Sequence, residues 1–228
     1  ARRASEAADD AGWVGNVLND QGVIHFQLGR LDEAVRLYEA AHERARSAGD
    51  ARLAAVTAQN LGIIAGMRGD VPEALRRYES ALGDFRVRGL AREAALALNN
   101  LGMLHADLRR WAEAERYFAE AVHIASVLGD LPNKALMLTN LAEMWIERGD
   151  TARARIECDG ANELAGQLHD HAVLGEARKL YGMIAREEGD LAAAEHHFAE
   201  AEAIATARQN VLLEAEVARE RADLHRRQ

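Results

Sequence analysis

The chain repeats itself at intervals of 40 residues. The segment "ALNNLG" at positions 97–102 has close counterparts in "TAQNLG" at 57–62 and "MLTNLA" at 137–142. The small residue that ends this motif is taken as an anchor, and it recurs as Gly22, Gly62, Gly102, Ala142 and Gly182. A fixed period of this kind is typical of repeat proteins, in which each unit buries its apolar face only against its neighbours.

Three further columns follow the anchor at offsets of 12, 16 and 19 residues. The first and the last hold alanine in every repeat, and the middle one holds an aromatic residue in all repeats but the fourth. Small residues allow two helix backbones to approach closely, and one aromatic ring per repeat fills the gap between helix pairs. The columns are Ala34, Ala74, Ala114, Ala154 and Ala194; Tyr38, Tyr78, Phe118, Cys158 and Phe198; and Ala41, Ala81, Ala121, Ala161 and Ala201.

Composition and turn signals favour helices throughout. Of the 228 residues, 49% are apolar and only two are proline, and no stretch alternates apolar and polar residues as a half-buried strand does. Seven residues after the anchor, four repeats have glycine, which ends one helix, and aspartate commonly follows and caps the next. The third repeat has Arg109-Arg110 there instead. These signals predict an all-α chain of antiparallel helix pairs, with helices near 11–28 and 31–48 and their 40-residue translations.

These columns resemble the tetratricopeptide repeat (TPR), and the resemblance covers essentially the whole chain. It implies a right-handed α-solenoid, the TPR superhelix. The family period is usually about 34 residues with a proline closing the second helix, whereas this chain has a 40-residue period and no proline in that column. The longer form is similar to the repeats of Pins-type spindle adaptors, kinesin light chains and the sensor arrays of bacterial regulators.

The repeat register predicts a single TPR array over residues 1–228. The full repeats are 11–50, 51–90, 91–130, 131–170 and 171–210. Residues 1–10 align with the end of a repeat, so we expect them to end a preceding helix, and we expect 211–228 to form the first helix of a following or capping unit. The chain is thus interpreted as a slice through a longer array, whose poorly capped ends are open to self-association.

The resemblance implies that the first helix of each pair lines a concave groove that binds a partner segment. Residues seven apart return to nearly the same angle on a helix, in agreement with the groove positions of the family. In the first repeat these positions include Val23, Phe26 and Gln27. The candidate peptide-binding residues are Asn16, Asn19, Gln59, Asn60, Ile63, Met67, Asn99, Asn100, Met103, Asn140, Glu143 and Glu147.

Asn60, Asn100 and Asn140 occupy the same groove position in successive repeats. A carboxamide offers two N–H donors and a carbonyl acceptor, so a row of them is suited to hold the backbone of an extended peptide without reading its side chains. The alternative interpretation is structural, with asparagine in this column tying adjacent repeats together. The sequence leaves both interpretations open.

The charges and the reactive residues argue against several functions. A net charge of −9 without clustered cations argues against a nucleic-acid or membrane surface. No phosphate-binding glycine loop, nucleophile elbow or HExxH motif indicates a catalytic site or a cofactor. The histidines lack the spacing of metal ligands, and His25 and His105 are expected in the core. Cys158 stands in the aromatic column, which predicts a buried, unreactive thiol, and a lone cysteine fits a cytoplasmic location.

The sequence therefore predicts a scaffold that binds a protein or peptide partner and is not itself an enzyme. The groove positions carry six acids against Lys179 and Arg186, which favours an apolar or mildly basic partner segment. One alternative is a ligand- or peptide-sensing regulatory segment of a larger signalling or transcription-regulating protein. A second alternative is the non-catalytic part of an enzyme.

Overall fold

The computed structural model describes the backbone of residues 2–226 and the side chains of residues 13–226. Over this range the chain folds into eleven α-helices and no strand, which confirms the predicted all-α class. The helices, numbered in chain order, are α1 (Arg2–Gln27), α2 (Leu31–Ala48), α3 (Ala51–Met67), α4 (Val71–Val87), α5 (Ala91–Asp107), α6 (Trp111–Leu128), α7 (Leu131–Arg148), α8 (Thr151–Leu168), α9 (His171–Glu187), α10 (Leu191–Arg208) and α11 (Val211–Arg226).

Consecutive helices from α1 to α4 and from α6 to α11 pack against each other. Helix α1 packs on α2, α3 on α4, α7 on α8 and α9 on α10, and the second helix of a pair packs on the first helix of the next, as α2 does on α3 and α8 on α9. The helices form two compact units, residues 1–104 and 105–228. The helix-pair solenoid predicted from the repeat is thereby confirmed.

The first helix begins earlier than the repeat register predicts. Helix α1 runs unbroken from Arg2 to Gln27, whereas the register places a turn between residues 10 and 11. The aligned helix α2 ends at Gly49 in the left-handed conformation, with φ of 73°, but the corresponding residue near the N-terminus is Asp9. Glycine favours this helix end and the N-terminal segment lacks it, although His169 and Gln209 also end helices in the same conformation. Residues 2–10 are therefore the first turns of α1, and Ala1 lies outside the described residues.

The turns within the repeats follow the glycine and aspartate pattern. Glycines of this turn have positive φ, namely Gly29 (70°), Gly69 (76°), Gly149 (87°) and Gly189 (85°). The Asp190 carboxylate then caps α10 by accepting a hydrogen bond of 2.9 Å from the Ala193 N–H. In the third repeat, Arg109 takes the same left-handed position with φ of 56°. The backbone of this turn is thus shared with the other repeats, although its residue is not glycine.

We expect Arg109→Gly to stabilise the protein by about 1 kcal/mol, because a residue with a Cβ is strained in the left-handed conformation. The measurement is the midpoint of unfolding in urea. Gly149→Ala is the matched control, since that position has φ of 87° and open space around an added Cβ. This variant should lose a similar amount of unfolding free energy. If Arg109→Gly were destabilising, side-chain contacts of the arginine would outweigh the strain of its backbone.

The residues of the repeat columns form the core. Tyr78 and Phe118 are 5% and 1% exposed, which confirms their predicted burial. A Cβ added to Gly62 would lie 2.9 Å from Cε1 of Tyr78, closer than side chains normally approach. The anchor is therefore glycine where the ring of an aromatic residue covers it. In the fourth repeat the covering residue is Cys158, and the anchor there is Ala142.

Candidate peptide-binding site

A cavity lies where groove positions of the first two repeats meet, within the first unit. It has a volume of about 250 Å³ and is formed by α1, α2 and α3. Its lining residues are Val23, Phe26, Gln27, Tyr38, Asn60 and Ile63. This first-unit cavity brings together two of the predicted binding residues, Asn60 and Ile63, with three of the groove positions of α1. Most of its wall is apolar, and its polar side-chain groups are the carboxamides of Gln27 and Asn60 and the hydroxyl of Tyr38.

The Asn60 carboxamide connects two repeats. Its Nδ2 donates a hydrogen bond of 3.1 Å to Oδ1 of Asn19, which lies one repeat earlier on α1. This contact is the one that the structural interpretation of the asparagine column predicts. It uses one of the two N–H groups of Asn60 and leaves the other N–H and the carbonyl oxygen for further bonds. At this position the structural role and a binding role are therefore compatible.

The other candidate residues of the first unit differ in accessibility. Asn16 is exposed, Met67 is 62% exposed and Gln59 and Asn100 are half-buried. Asn99 does not fit the prediction, because it is only 4% exposed and its Nδ2 lies 3.6 Å from Sδ of Met103. Met103 follows one turn later on α5, on the same side of the helix, and is 45% exposed. Asn99 is therefore less accessible to a partner than Met103.

The candidate residues of the second unit are dominated by carboxylates. Asn140 and Glu143 are half-buried, and burial raises the pKa of Glu143 although Lys179 opposes this effect. Glu147 lines a cavity of about 320 Å³ together with Ala106, Asp107, Arg109 and Trp111. Burial raises the pKa of Glu147, and the Asp107 carboxylate raises it further. The arrangement suits a cationic group better than an anionic one.

The two cations predicted for the groove are engaged in ion pairs with other residues of the second unit. Lys179 is 5% exposed, and its Nζ lies 2.5 Å from Oε2 of Glu216 on α11. Burial alone would lower the pKa of Lys179, but the nearby carboxylates, led by Glu176, outweigh burial and raise it. Arg186 is 7% exposed and pairs with Glu220 at 2.8 Å. Neither cation is therefore accessible to a partner, because acidic residues on α11 pair with both.

The lone cysteine is buried, as predicted. The Cys158 thiol is fully buried and donates a hydrogen bond of 3.4 Å to the carbonyl oxygen of Ala177. Burial raises the pKa of Cys158 to about 12, which keeps the thiol protonated near neutral pH. Within residues 13–226, no cluster of three or more His, Cys, Asp or Glu side chains is arranged to hold a metal ion. No helix in the described part of the chain has the length and apolar content needed to cross a bilayer.

Comparison with protein families identifies the repeats. The model of the tetratricopeptide repeat matches residues 13–86 and 93–157, which together make up more than half of the chain. No curated protein sequence matches the chain significantly.

Several solved structures share the fold at low sequence identity. BtubC (BKLC) from P. vanneervenii is 24% identical, with a TM-score of 0.73 over 91% of this chain and 89% of that one. Aspartyl phosphate phosphatase F from Bacillus subtilis is 12% identical, with a TM-score of 0.76 over 93% of this chain and 56% of that one. A Rap protein complexed with Competence and Sporulation Factor is 14% identical, with a TM-score of 0.79 over 88% and 56%. Since its helix pairs, turns and packing columns agree with the matched repeats, the chain belongs to the tetratricopeptide repeat family of protein-binding scaffolds.

Proposed function

We propose that the first unit binds a short peptide segment of a partner protein, with one bulky apolar side chain of that segment entering the first-unit cavity. The observation that carries this proposal is the cavity itself. Phe26, Val23 and Ile63 give it an apolar wall, and all three are only partly buried within the chain. Covering this wall with an apolar side chain removes it from water, which is favourable in proportion to the area covered.

Two carboxamides beside this wall are suited to the backbone of the bound peptide. The described part of the chain supplies no hydrogen bond to the Gln27 carboxamide, and none to Asn60 besides the one from its Nδ2 to Asn19. A peptide group also carries one donor and one acceptor, so each carboxamide can pair with it in both directions. The partner is thus selected by an apolar side chain and held through its backbone.

A related fold gives further support. The Rap protein described above was crystallised in complex with Competence and Sporulation Factor, and it shares the helix-pair architecture of this chain at a TM-score of 0.79. At 14% identity the likeness concerns the fold alone. It indicates that arrays of this architecture can carry a bound factor, while the cavity residues of this chain determine which segment it binds.

Selection from a random peptide library on the immobilised protein tests the proposal. We expect the selected peptides to share one bulky apolar residue at a fixed position. Phe26→Ala should weaken their binding by about 1–3 kcal/mol, because apolar contact is lost. Asn60→Ala should weaken it by about 0.5–1.5 kcal/mol, because a neutral hydrogen bond is lost. Binding is measured by calorimetry, and the melting temperature of each variant shows that it remains folded.

Arg36→Ala is the matched control, because Arg36 is exposed on α2 and does not line the cavity. Its affinity for the selected peptides should equal that of the parent protein. Peptides that bind Phe26→Ala and the parent equally well would place the binding site elsewhere. Failure to enrich any peptide with an apolar residue would contradict the proposed specificity directly.

A further inference from the structure

A larger cavity lies in the second unit, away from every predicted groove position. Its volume is about 570 Å³, within the range of small-molecule sites. It is bordered by the turn between α8 and α9 and by the turn between α10 and α11, and we call it the turn cavity. Its lining residues are Pro132, Leu168, His169, Asp170, His171, Ala172, Ile204, Ala205, Arg208, Asn210 and Leu213.

The floor of the turn cavity is apolar and closely packed. Ala205 is fully buried, Leu213 is 1% exposed, and Ile204 and Leu168 are half-buried. A Cβ added to Gly175 would lie 2.5 Å from Cδ2 of Leu213, which shows how tightly this leucine is held. A ligand resting on this floor must therefore present an apolar group to it.

The acceptor side chains around the cavity are already occupied. Oδ1 of Asp170 accepts hydrogen bonds from the N–H groups of Ala172 and Val173 at 3.0 and 3.2 Å. Oδ1 of Asn210 accepts a hydrogen bond of 3.2 Å from the N–H of Leu213. Asp170 and Asn210 thus each use Oδ1 to cap the helix that follows them.

The donor side chains around the cavity are not occupied. Arg208, His169 and His171 are exposed, and the described residues give none of them a hydrogen bond or an ion pair. Several other arginines of the described residues are paired with an acid, as Arg155 is with Glu188 at 2.7 Å. The turn cavity therefore offers the donors of Arg208, His169 and His171, while its two formal charges, on Arg208 and Asp170, balance when histidine is counted as neutral.

The two turns that border the cavity also differ from the other turns between repeats. In those other turns the left-handed residue is Gly49, Gly89 or Gly129. At the cavity it is His169 (φ 55°) or Gln209 (φ 54°), and a residue with a side chain is strained in this conformation. Residues with side chains thus replace glycine at the two turns that border the cavity. Backbone strain of this kind is often found at functional sites of proteins.

We infer that the turn cavity binds a carboxylate carried on an apolar group, with Arg208 pairing with the carboxylate and the floor around Leu213 receiving the apolar group. An arginine guanidinium binds a carboxylate through parallel hydrogen bonds, and His169 and His171, which also line the cavity, supply further donors. Two sources share this chemistry: a free acyl carboxylate and the C-terminal residue of a polypeptide. The inference is independent of the first-unit cavity, because no residue is shared between the two.

Titration by nuclear magnetic resonance, following backbone amides, tests the inference with three probes. Octanoate represents the free acyl carboxylate, N-acetyl-leucine represents a C-terminal residue, and N-acetyl-leucinamide has the same apolar group without the charge. We expect at least one carboxylate to shift the amides of residues 169–172 and 208–213, and the amide probe to leave them unchanged. The tighter of the two carboxylates identifies the source. If neither carboxylate shifts these amides, or if the amide probe binds equally well, the inference is wrong.

Two variants locate the site. Arg208→Gln should weaken binding of the carboxylate about tenfold or more, because a charge-assisted hydrogen bond is lost. Arg88→Gln is the matched control, since it removes the same charge immediately before the turn glycine Gly89, and it should bind as the parent does. His169→Gly should also weaken binding while unfolding no earlier than the parent, because glycine relieves the strained φ. Parent-like affinity in both Arg208→Gln and His169→Gly would remove the site from this cavity.

Discussion

Replacing Arg186 by methionine is expected to destabilise the protein by about 3–5 kcal/mol, because it leaves a buried carboxylate without its cation. Arg186 Nη1 lies 2.8 Å from Oε2 of Glu220, and the two side chains are only 6% and 8% exposed. Glu220 retains two contacts, of 3.2 and 3.4 Å, with Arg219, whose side chain is 68% exposed and whose attraction is therefore screened by water. The free energy of unfolding is measured from urea denaturation followed by circular dichroism.

A second substitution separates the charge from the packing. In the double variant Arg186→Met with Glu220→Leu, no charge is stranded, and we expect most of the lost stability to return. Arg155→Met is the matched control, because Arg155 and Glu188 also pair at 2.7 Å but are 44% and 39% exposed. It should cost about 0–1 kcal/mol. An equal loss in Arg155→Met and Arg186→Met would show that burial does not set the cost of breaking these pairs.

The same pair illustrates what the sequence does not reveal. The repeat places Lys179 and Arg186 at groove positions, where a partner segment would be expected to contact them. Whether they are accessible depends on their ion pairs with Glu216 and Glu220 of α11, and the repeat pattern does not predict those pairs. A periodic pattern reports what the copies share. Lys179 and Arg186 differ from the residues at the same positions of the first four repeats, so the shared pattern does not predict their ion pairs.

The shared features are predicted well for the same reason. Tyr78 and Phe118 are buried as expected, and the helix ends fall at the predicted turns, because each repeat packs against its neighbours through the same columns of residues. Deviations occur where one copy lacks a shared residue. Helix α1 extends to Arg2 through a segment that has Asp9 at the position of the turn glycine, and the turn cavity is bordered by the turns that contain His169 and Gln209.

The candidate binding residues are an intermediate case. Position in the repeat places Asn60 and Ile63 beside the first-unit cavity, but it also selects Asn99, which is buried against Met103. The helical period fixes the angle of a residue on its own helix. It does not fix whether a long neighbouring side chain covers that residue, and this decides which of two residues at similar angles is accessible.

Gly182→Ala is expected to destabilise the protein by about 1–3 kcal/mol, although alanine is the better helix former. Gly182 lies inside α9, and an added Cβ would be 2.5 Å from Cε1 and 2.6 Å from Cδ1 of the Phe198 ring. The ring is fully buried, so it has no open space into which it can move. The loss measures the crowding between the new methyl group and the ring.

The sign of this effect should reverse when the ring is removed. Phe198→Cys alone should cost about 3–5 kcal/mol through the cavity that it leaves. Adding Gly182→Ala in that background should be neutral or stabilising by up to about 1 kcal/mol, because the methyl group now has space and the helix gains alanine. The resulting pair of alanine and cysteine is the one that the fourth repeat already has at Ala142 and Cys158.

A third variant isolates the helix contribution. Gly83→Ala also lies inside a helix, α4, but no atom is within 4 Å of its added Cβ, so it should stabilise by up to about 1 kcal/mol. The coupling between positions 182 and 198 is obtained from unfolding free energies of the parent, the two single variants and the double variant. A coupling near zero would mean that the small anchor and the aromatic residue of each repeat were selected independently. A coupling of about 1–3 kcal/mol would make their combined volume the quantity that the 40-residue repeat preserves.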